Sequence, residues 1–286
     1  MTVRKAVITA AGWGTRFLPI TRSQPKEMLP LINKPLIQYI VEEAINSGIE
    51  QLIMITAQGK RAIEDYFDRS FELEYLLEQK GETRLLKEIR ELSNMINVCY
   101  LRQKEQLGLG HAILTARDVV DDEPFAVILP DDIIDSRVPA LKQMLEVHQK
   151  YGASVIAVEP VGVADIAKYG IIDAKKVSDR VYQVVGLVEK PSPAEAPSNL
   201  GIVGRYILMP QIFDVIKLTR PKKNREIQIT DALQTLLEQQ PIYAYEFEGV
   251  RYDTGTPLGW LKATFAYALR HPDFGPELRE YLRQYL

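Results

Sequence analysis

The stretch Lys5-Ala-Val-Ile-Thr-Ala-Ala-Gly-Trp-Gly-Thr-Arg16 decides the fold. Its apolar first half reads as a strand over residues 6–10. Directly beyond it come two glycines, a threonine and an arginine. Glycine lets the backbone approach anionic oxygens and adopt dihedrals closed to other residues. Successive backbone N–H groups there make a concave anion site. Gly12, Gly14, Thr15 and Arg16 therefore form a candidate phosphate grip. Two familiar grips do not fit. A dinucleotide fingerprint needs glycine at its sixth position, where Phe17 stands, and a Walker A loop needs a Gly-Lys-Ser/Thr that is absent.

Working outward, further strand-like runs occur at 51–57, 97–101, 125–129 and 154–159. Helical spacing lies between them. From 35 to 46 the apolar positions 36, 37, 40, 41, 44 and 45 mark one helix face, and Gly48 suits the stop. Residues 60–69 and 111–120 read as further helices. Alternating β and α units predict an α/β fold with a Rossmann-like, mainly parallel sheet flanked by helices. Segment 70–95 interrupts the rhythm with Glu, Leu, Lys and Arg. It reads as one or two charged surface helices, with an oligomer contact as the alternative. Past residue 160, short strands are expected at 170–173, 182–189, 201–208 and 242–247. A proline-rich loop lies at 191–197, and helices are expected at 226–239 and from Pro257.

The 286 residues suffice for one large α/β unit with a sizeable core. Net charge is 35 − 38 = −3, without the basic excess of a nucleic-acid surface. Local charge must therefore hold any anionic ligand. Cys99 is the only cysteine, so no intrachain disulfide can form, in keeping with a reducing, cytoplasmic setting. Its alternating surroundings make it a buried strand residue. The polar start predicts no signal peptide, and no apolar run approaches membrane-spanning length.

Lys26 and Glu27 lie between prolines in Pro25-Lys-Glu-Met-Leu-Pro30, adding a second cation beside the glycine turn. Arginine can clamp phosphate oxygens through two bonds, while lysine acts as a point charge. Asp131 and Asp132 end the apolar run at 125–129, and an open parallel sheet binds ligands beyond its strands' carboxyl ends. Asp253, in Tyr252-Asp-Thr-Gly255, is a second acid between strand and helix. One acid from each segment would suit Mg²⁺, which takes one or two carboxylates and completes its octahedron with phosphate and water. The competing reading makes Asp253 a cap of the following helix or turn. His111, His148 and His271 lack zinc spacing. His111 is placed to shape a pocket, and the other two are expected at the surface.

Taken in order, these segments resemble the sugar-nucleotide pyrophosphorylases, and their bacterial UTP–glucose-1-phosphate uridylyltransferase branch in particular. The resemblance rests on Gly12-x-Gly-Thr-Arg16, Pro25-Lys-Glu-Met-Leu-Pro30, Gly108-Leu-Gly-His-Ala112 and Leu129-Pro-Asp131. It continues through Tyr169-Gly-Ile171, Val188-Glu-Lys-Pro191, Pro197-Ser-Asn-Leu-Gly-Ile-Val-Gly-Arg-Tyr206 and Glu226-Ile-Gln-Ile-Thr-Asp-Ala232. It spans about residues 3–270. It implies one nucleotidyltransferase unit over 1–286, with a nucleotide half at 1–160 and a sugar-phosphate half at 161–270. The second half would carry a small acceptor-binding lobe, followed by a helical tail at 271–286.

The resemblance implies residue roles. Ala10, Ala11 and Gly12 would meet the nucleotide, with Gly14, Thr15 and Asp132 on the same side. Glu27, Gln103 and Gly108 would read uracil. Arg16 and Lys26 would hold the triphosphate, and Asp131 and Asp253 the Mg²⁺. Gly170, Glu189 and Val203 would contact glucose, and Lys190 its phosphate. Arg16, Lys26, Lys190 and Asp131 would be the catalytic set. The implied partners are UTP, glucose 1-phosphate, UDP-glucose and pyrophosphate, with no nucleic acid or membrane, in a homodimer or homotetramer. Arg22 departs from a common lysine and Thr256 from a common acid. Use of dTTP or another sugar phosphate stays open, as does a non-catalytic sensor on the same scaffold.

Overall fold

The structure is a computed structural model that describes residues 2–221 and 225–285. One nine-stranded sheet runs through it. In chain order its strands are β1 (Lys5–Thr9), β2 (Gln51–Thr56), β3 (Asn97–Arg102), β4 (Phe125–Ile128), β5 (Ser154–Pro160), β6 (Gly170–Ser178), β7 (Val181–Glu189), β8 (Leu200–Leu208) and β9 (Ile242–Glu246). The spatial order is β3-β2-β1-β4-β8-β5-β9-β7-β6.

The first four strands are parallel neighbours. Their side chains alternate between two apolar layers. Ala6 and Ile8 pack with Ile37, Ile40 and Val41 of helix Leu36–Asn46. Val7 packs with Ile53, Ile55, Ile113 and Phe213 on the other face. Strands buried on both faces read as unbroken apolar runs, which is why the sequence exposes them.

The carboxyl-terminal half makes the sheet mixed. β8 pairs antiparallel with both β4 and β5, and β7 pairs antiparallel with β9 and β6. β5 and β9 remain parallel. β8 takes the central place because residues 201–208 are buried throughout. β6 buries only its first three residues and β7 every third one, and the two form the arm at the sheet's end.

Several elements differ from expectation at their ends. The helix expected at 111–120 is two short ones, Leu109–Leu114 and Arg117–Val120. The helix expected from 226 begins at Ile229. Ile227 is instead tied in extended form, its N–H donating to Leu107 O at 2.8 Å and its carbonyl accepting from Gly110 N at 2.9 Å. Segment 70–95 forms two helices, Phe71–Gln79 and Thr83–Ser93, turning at Gly81 with φ +70°. The tail carries helix Gly275–Leu282.

His148 corrects the surface expectation. It is 1% exposed, and its Nδ1 lies 2.8 Å from the Ala153 carbonyl. A polar ring can be buried where a backbone group satisfies one of its nitrogens. Cys99 sits half-buried on edge strand β3. Among the described residues no helix is long and apolar enough to cross a membrane.

Candidate active site

Two chambers open at the carboxyl ends of the parallel strands. One has a volume of about 520 Å³ and the other about 1110 Å³, and they share Arg16, Leu109, Leu129 and Asp131. The smaller is built on the glycine turn. Gly14 has φ +66° and starts a single 3₁₀ turn over Thr15–Phe17. A side chain at Gly14 would press on Thr21 and Lys26 at 3.1–3.2 Å, whereas a side chain at Gly12 would meet nothing within 4 Å. The open space at Gly12 therefore belongs to the chamber. Among the described residues no protein acceptor takes the N–H of Gly12, Trp13 or Gly14. Three consecutive free donors beside Arg16 and Lys26 make an anion cradle.

Opposite lies the Gln103–Gly108 loop. Gly108 (φ +92°) and Gly110 let it close on Glu226 and Ile227, where a side chain at either glycine would come within 3.0 Å. Gln106 was not foreseen from the sequence. Its Nε2 donates to Ala11 O at 2.8 Å, and its buried Oε1 has no partner. No motif flags a lone glutamine, and only the turn's proximity reveals it.

Ala11, Gly12, Gly14, Thr15, Lys26, Gln103 and Gly108 all line this chamber. Ala10 lies behind it, its N–H donating to Ile55 O. Glu27 also lies behind the wall. It is 1% exposed and paired to Lys60 at 2.7 Å. Its Oε1 is buried without a partner. Lys60 could have been suspected only from a lysine at a helix start facing an acid distant in sequence.

The acids converge through a short antiparallel ribbon, Asp132–Asp135 with Val250–Asp253, which sets Asp253 opposite Asp132. Thr254 locks the turn by donating its N–H and hydroxyl to Asp131 O at 2.8 and 2.9 Å. Lys26 Nζ reaches Asp131 Oδ2 at 2.6 Å. Burial pushes the Asp131 carboxyl up, but Lys26, with Arg16, outweighs it and holds the group below its usual range. Burial likewise lowers Lys26, and Asp131 with Glu27 more than reverses this. Both groups stay charged at neutral pH.

Gly255 supplies the test for a metal. A Cβ there would lie 2.9 Å from Asp131 Oδ2, 3.0 Å from Asp253 Oδ1 and 3.3 Å from Arg16 Nη1. The two carboxylates thus converge beside Gly255, Asp131 Oδ2 paired with Lys26 and Asp253 Oδ1 accepting the Gly255 N–H at 3.0 Å. Among the described residues no cluster of three or more His, Cys, Asp or Glu could hold a metal. A pair of acids next to a phosphate grip fits Mg²⁺, which draws its other ligands from phosphate and water. Thr256 caps helix Pro257–Arg270 through Gly259 N, while Asp253 Oδ1 accepts the Gly255 N–H, so Asp253 caps the turn and not the helix.

The larger chamber holds Gly170, Glu189, Lys190 and Val203. Asp132 lines this chamber and not the smaller one. Its Oδ2 accepts from Gly204 N, and its Oδ1 from Arg251, which also reaches Glu159 and the Tyr169 hydroxyl. Lys190 has φ +48°, a left-handed conformation rare for a side-chain-bearing residue and common where a site demands it. Its ammonium lies 3.2 Å from Glu189 Oε1, while Glu189 Oε2 accepts from Thr230. Lys168 and Lys262 add further positive charge to the lining. They lie outside any recognisable motif.

Comparison with known proteins agrees with this geometry. A family model described as Nucleotidyl transferase matches residues 5–269. A Bacillus subtilis protein named UTP--glucose-1-phosphate uridylyltransferase YngB is 52% identical over 280 residues, covering 98% of this chain and 94% of that protein. A solved UDP-glucose pyrophosphorylase complexed with UDP-glucose is 46% identical with a TM-score of 0.87, covering 94% of this chain and 100% of that one. A UTP-bound UGPase from Acinetobacter baumannii is 41% identical with a TM-score of 0.91, covering 98% and 99%.

Proposed function

The chain belongs to the nucleotidyl transferase family, and on that premise we propose that it transfers the uridylyl group of UTP to glucose 1-phosphate, giving UDP-glucose and pyrophosphate. The observation that carries this reading is the pair of chambers meeting at Arg16 and Asp131. The smaller suits a nucleoside triphosphate and the larger a sugar phosphate, so the two reacting phosphates meet at the shared wall. The names of the relatives supply the identity of base and sugar.

The acceptor needs no general base. The second pKa of a phosphate monoester is about 6, so glucose 1-phosphate is largely a dianion at neutral pH. Its oxygen attacks the α-phosphorus, the bond to the β-phosphate oxygen breaks, and pyrophosphate leaves with that electron pair. The chain's task is to bring two polyanions together. The Gly12–Gly14 amides and Arg16 hold the triphosphate, and Lys190 holds the acceptor phosphate. Lys26 supplies charge beside Asp131. Asp131 and Asp253 would hold Mg²⁺, which when bound neutralises phosphate charge. Positioning and electrostatics of this kind carry phosphoryl transfers generally.

The test is pyrophosphate release from UTP plus glucose 1-phosphate, with and without Mg²⁺, beside dTTP and other sugar 1-phosphates. The expected result is Mg²⁺-dependent release that is fastest with the UTP–glucose 1-phosphate pair. UDP-glucose binding without release would favour a sensor instead. Asp131→Ala should lower kcat by at least ~10²–10³.

A further inference from the structure

Gln103 is 4% exposed at the wall of the nucleotide chamber. Its Nε2 faces Gly108 O at 3.4 Å and His111 Nδ1 at 2.8 Å. A backbone carbonyl can only accept, so the amide nitrogen, not the oxygen, must face Gly108. The second amide hydrogen then points at His111 Nδ1, which must be the unprotonated nitrogen of a neutral ring. With both hydrogens engaged, Gln103 Oε1 accepts from no protein donor among the described residues.

We propose that His111 is a positioning residue that locks the Gln103 amide so that Oε1 accepts the N3–H of a uracil base. The proposal rests on the uridylyl reading above. Uracil presents a donor at N3, whereas cytosine presents an acceptor there beside an amino group. A flipped amide would set its own hydrogens against N3–H of uracil and would instead suit cytosine. An unrestrained amide accommodates either base. The lock is a matter of placement. Helix Leu109–Leu114 carries His111, and the close packing of Gly108 and Gly110 on residues 226–227 sets where that helix begins. Thymine shares the N3–H, so the device separates uracil from cytosine and is blind to the 5-methyl group.

Two variants test it through kcat/KM for UTP and CTP, each with glucose 1-phosphate. His111→Phe keeps a ring and removes the acceptor. His111→Asn places Oδ1 where Nδ1 stood. The Phe variant should lower the UTP-over-CTP ratio about tenfold, the worth of roughly one hydrogen bond, and the Asn variant should restore most of it. An equal loss for both nucleotides, or an unchanged ratio, overturns the proposal while leaving the uridylyl reading intact. Wild-type protein with no UTP turnover overturns both. Should the Phe variant not fold, the ¹⁵N spectrum of the wild-type histidines decides. Only three are present, and a protonated His111 Nδ1 at neutral pH overturns the lock.

Discussion

At the scale of single residues, the site is defined by what Gly255 lacks and by what Lys190 endures. Gly255→Ala would place a methyl about where two carboxylates and Arg16 converge. Its φ is not in the left-handed region, so alanine meets no backbone penalty. We expect a loss of turnover on the order of 10²–10³ with a raised Mg²⁺ requirement and an unchanged melting temperature, checked by Mg²⁺ titration and calorimetry. Lys190→Ala should raise KM for glucose 1-phosphate by about 10- to 100-fold, since a hydrogen bond to a charged group is worth about 1.5–3 kcal/mol. The KM for UTP should hardly move, and a shift there instead would place the lysine on the wrong substrate. The sequence shows residues of this kind well where a motif carries them: Arg16 and Asp131 stand where the chambers meet, and Lys26 lines the smaller chamber beside Asp131. It does not show Gln106, Lys60 or Arg251, whose partners are 95, 33 and 119 positions away. Such contacts exist only once the chain has folded.

At the scale of elements, Arg205 of β8 secures the acidic turn. It is fully buried, and all five of its N–H groups are used. Nε and Nη2 grip Glu43 of helix Leu36–Asn46, and the others bond the carbonyls of Leu129, Gly204 and Asp132. The turn bearing Asp131 is therefore held at both ends by one side chain. Arg205→Met would leave Glu43 buried and uncompensated, so a loss of about 3–5 kcal/mol is expected in urea unfolding. Arg205→Met combined with Glu43→Leu should recover much of it. A second pair of elements, helices Phe71–Gln79 and Thr83–Ser93, is joined by Glu74, which hydrogen bonds from Arg69 and Arg90 hold at a pKa of about 2. A carboxylate depressed below its ordinary value of 4.5 stabilises the fold above that value. The contribution fades as pH falls towards 2. Hydrogen-exchange protection factors over residues 71–93, referred to the intrinsic rate at each pH, should therefore fall between about pH 4.5 and 2, and Glu74→Gln should abolish that step. Composition, rich in Glu, Leu, Lys and Arg, made these two helices legible as charged surface elements. It could not show the ion pairs between them, because charge spacing along one helix does not say which helix lies opposite.

At the scale of the whole molecule, the carboxyl-terminal strands extend the parallel half into a mixed nine-stranded sheet and line the larger chamber. In the parallel half β1, β2 and β4 were legible because they are buried on both faces, and the half-buried edge strand β3 through its alternation. The insertion of β8 between β4 and β5 was not, since strand order depends on pairings between residues some 50–80 positions apart. That insertion has a chemical consequence. β8 brings Val203 to the acceptor chamber beside β4, whose end leads into Leu129 and Asp131 of the shared wall. On the proposed reading, UTP in the smaller chamber and the sugar phosphate in the larger would meet across this one boundary. Among the described residues the sole acid common to both chambers is Asp131, and its Oδ2 is paired to Lys26, which leaves it poorly suited to act as a nucleophile. Under the proposed uridylyl transfer the expected course is a single direct displacement, with the acceptor oxygen entering opposite the departing pyrophosphate. UTP made chiral with sulfur at the α-phosphorus should give product of inverted configuration. Labelled pyrophosphate should exchange into UTP only when a sugar phosphate or UDP-glucose is present. Retention of configuration, or exchange without the sugar, would require a uridylyl-enzyme intermediate and a nucleophile other than the acceptor phosphate.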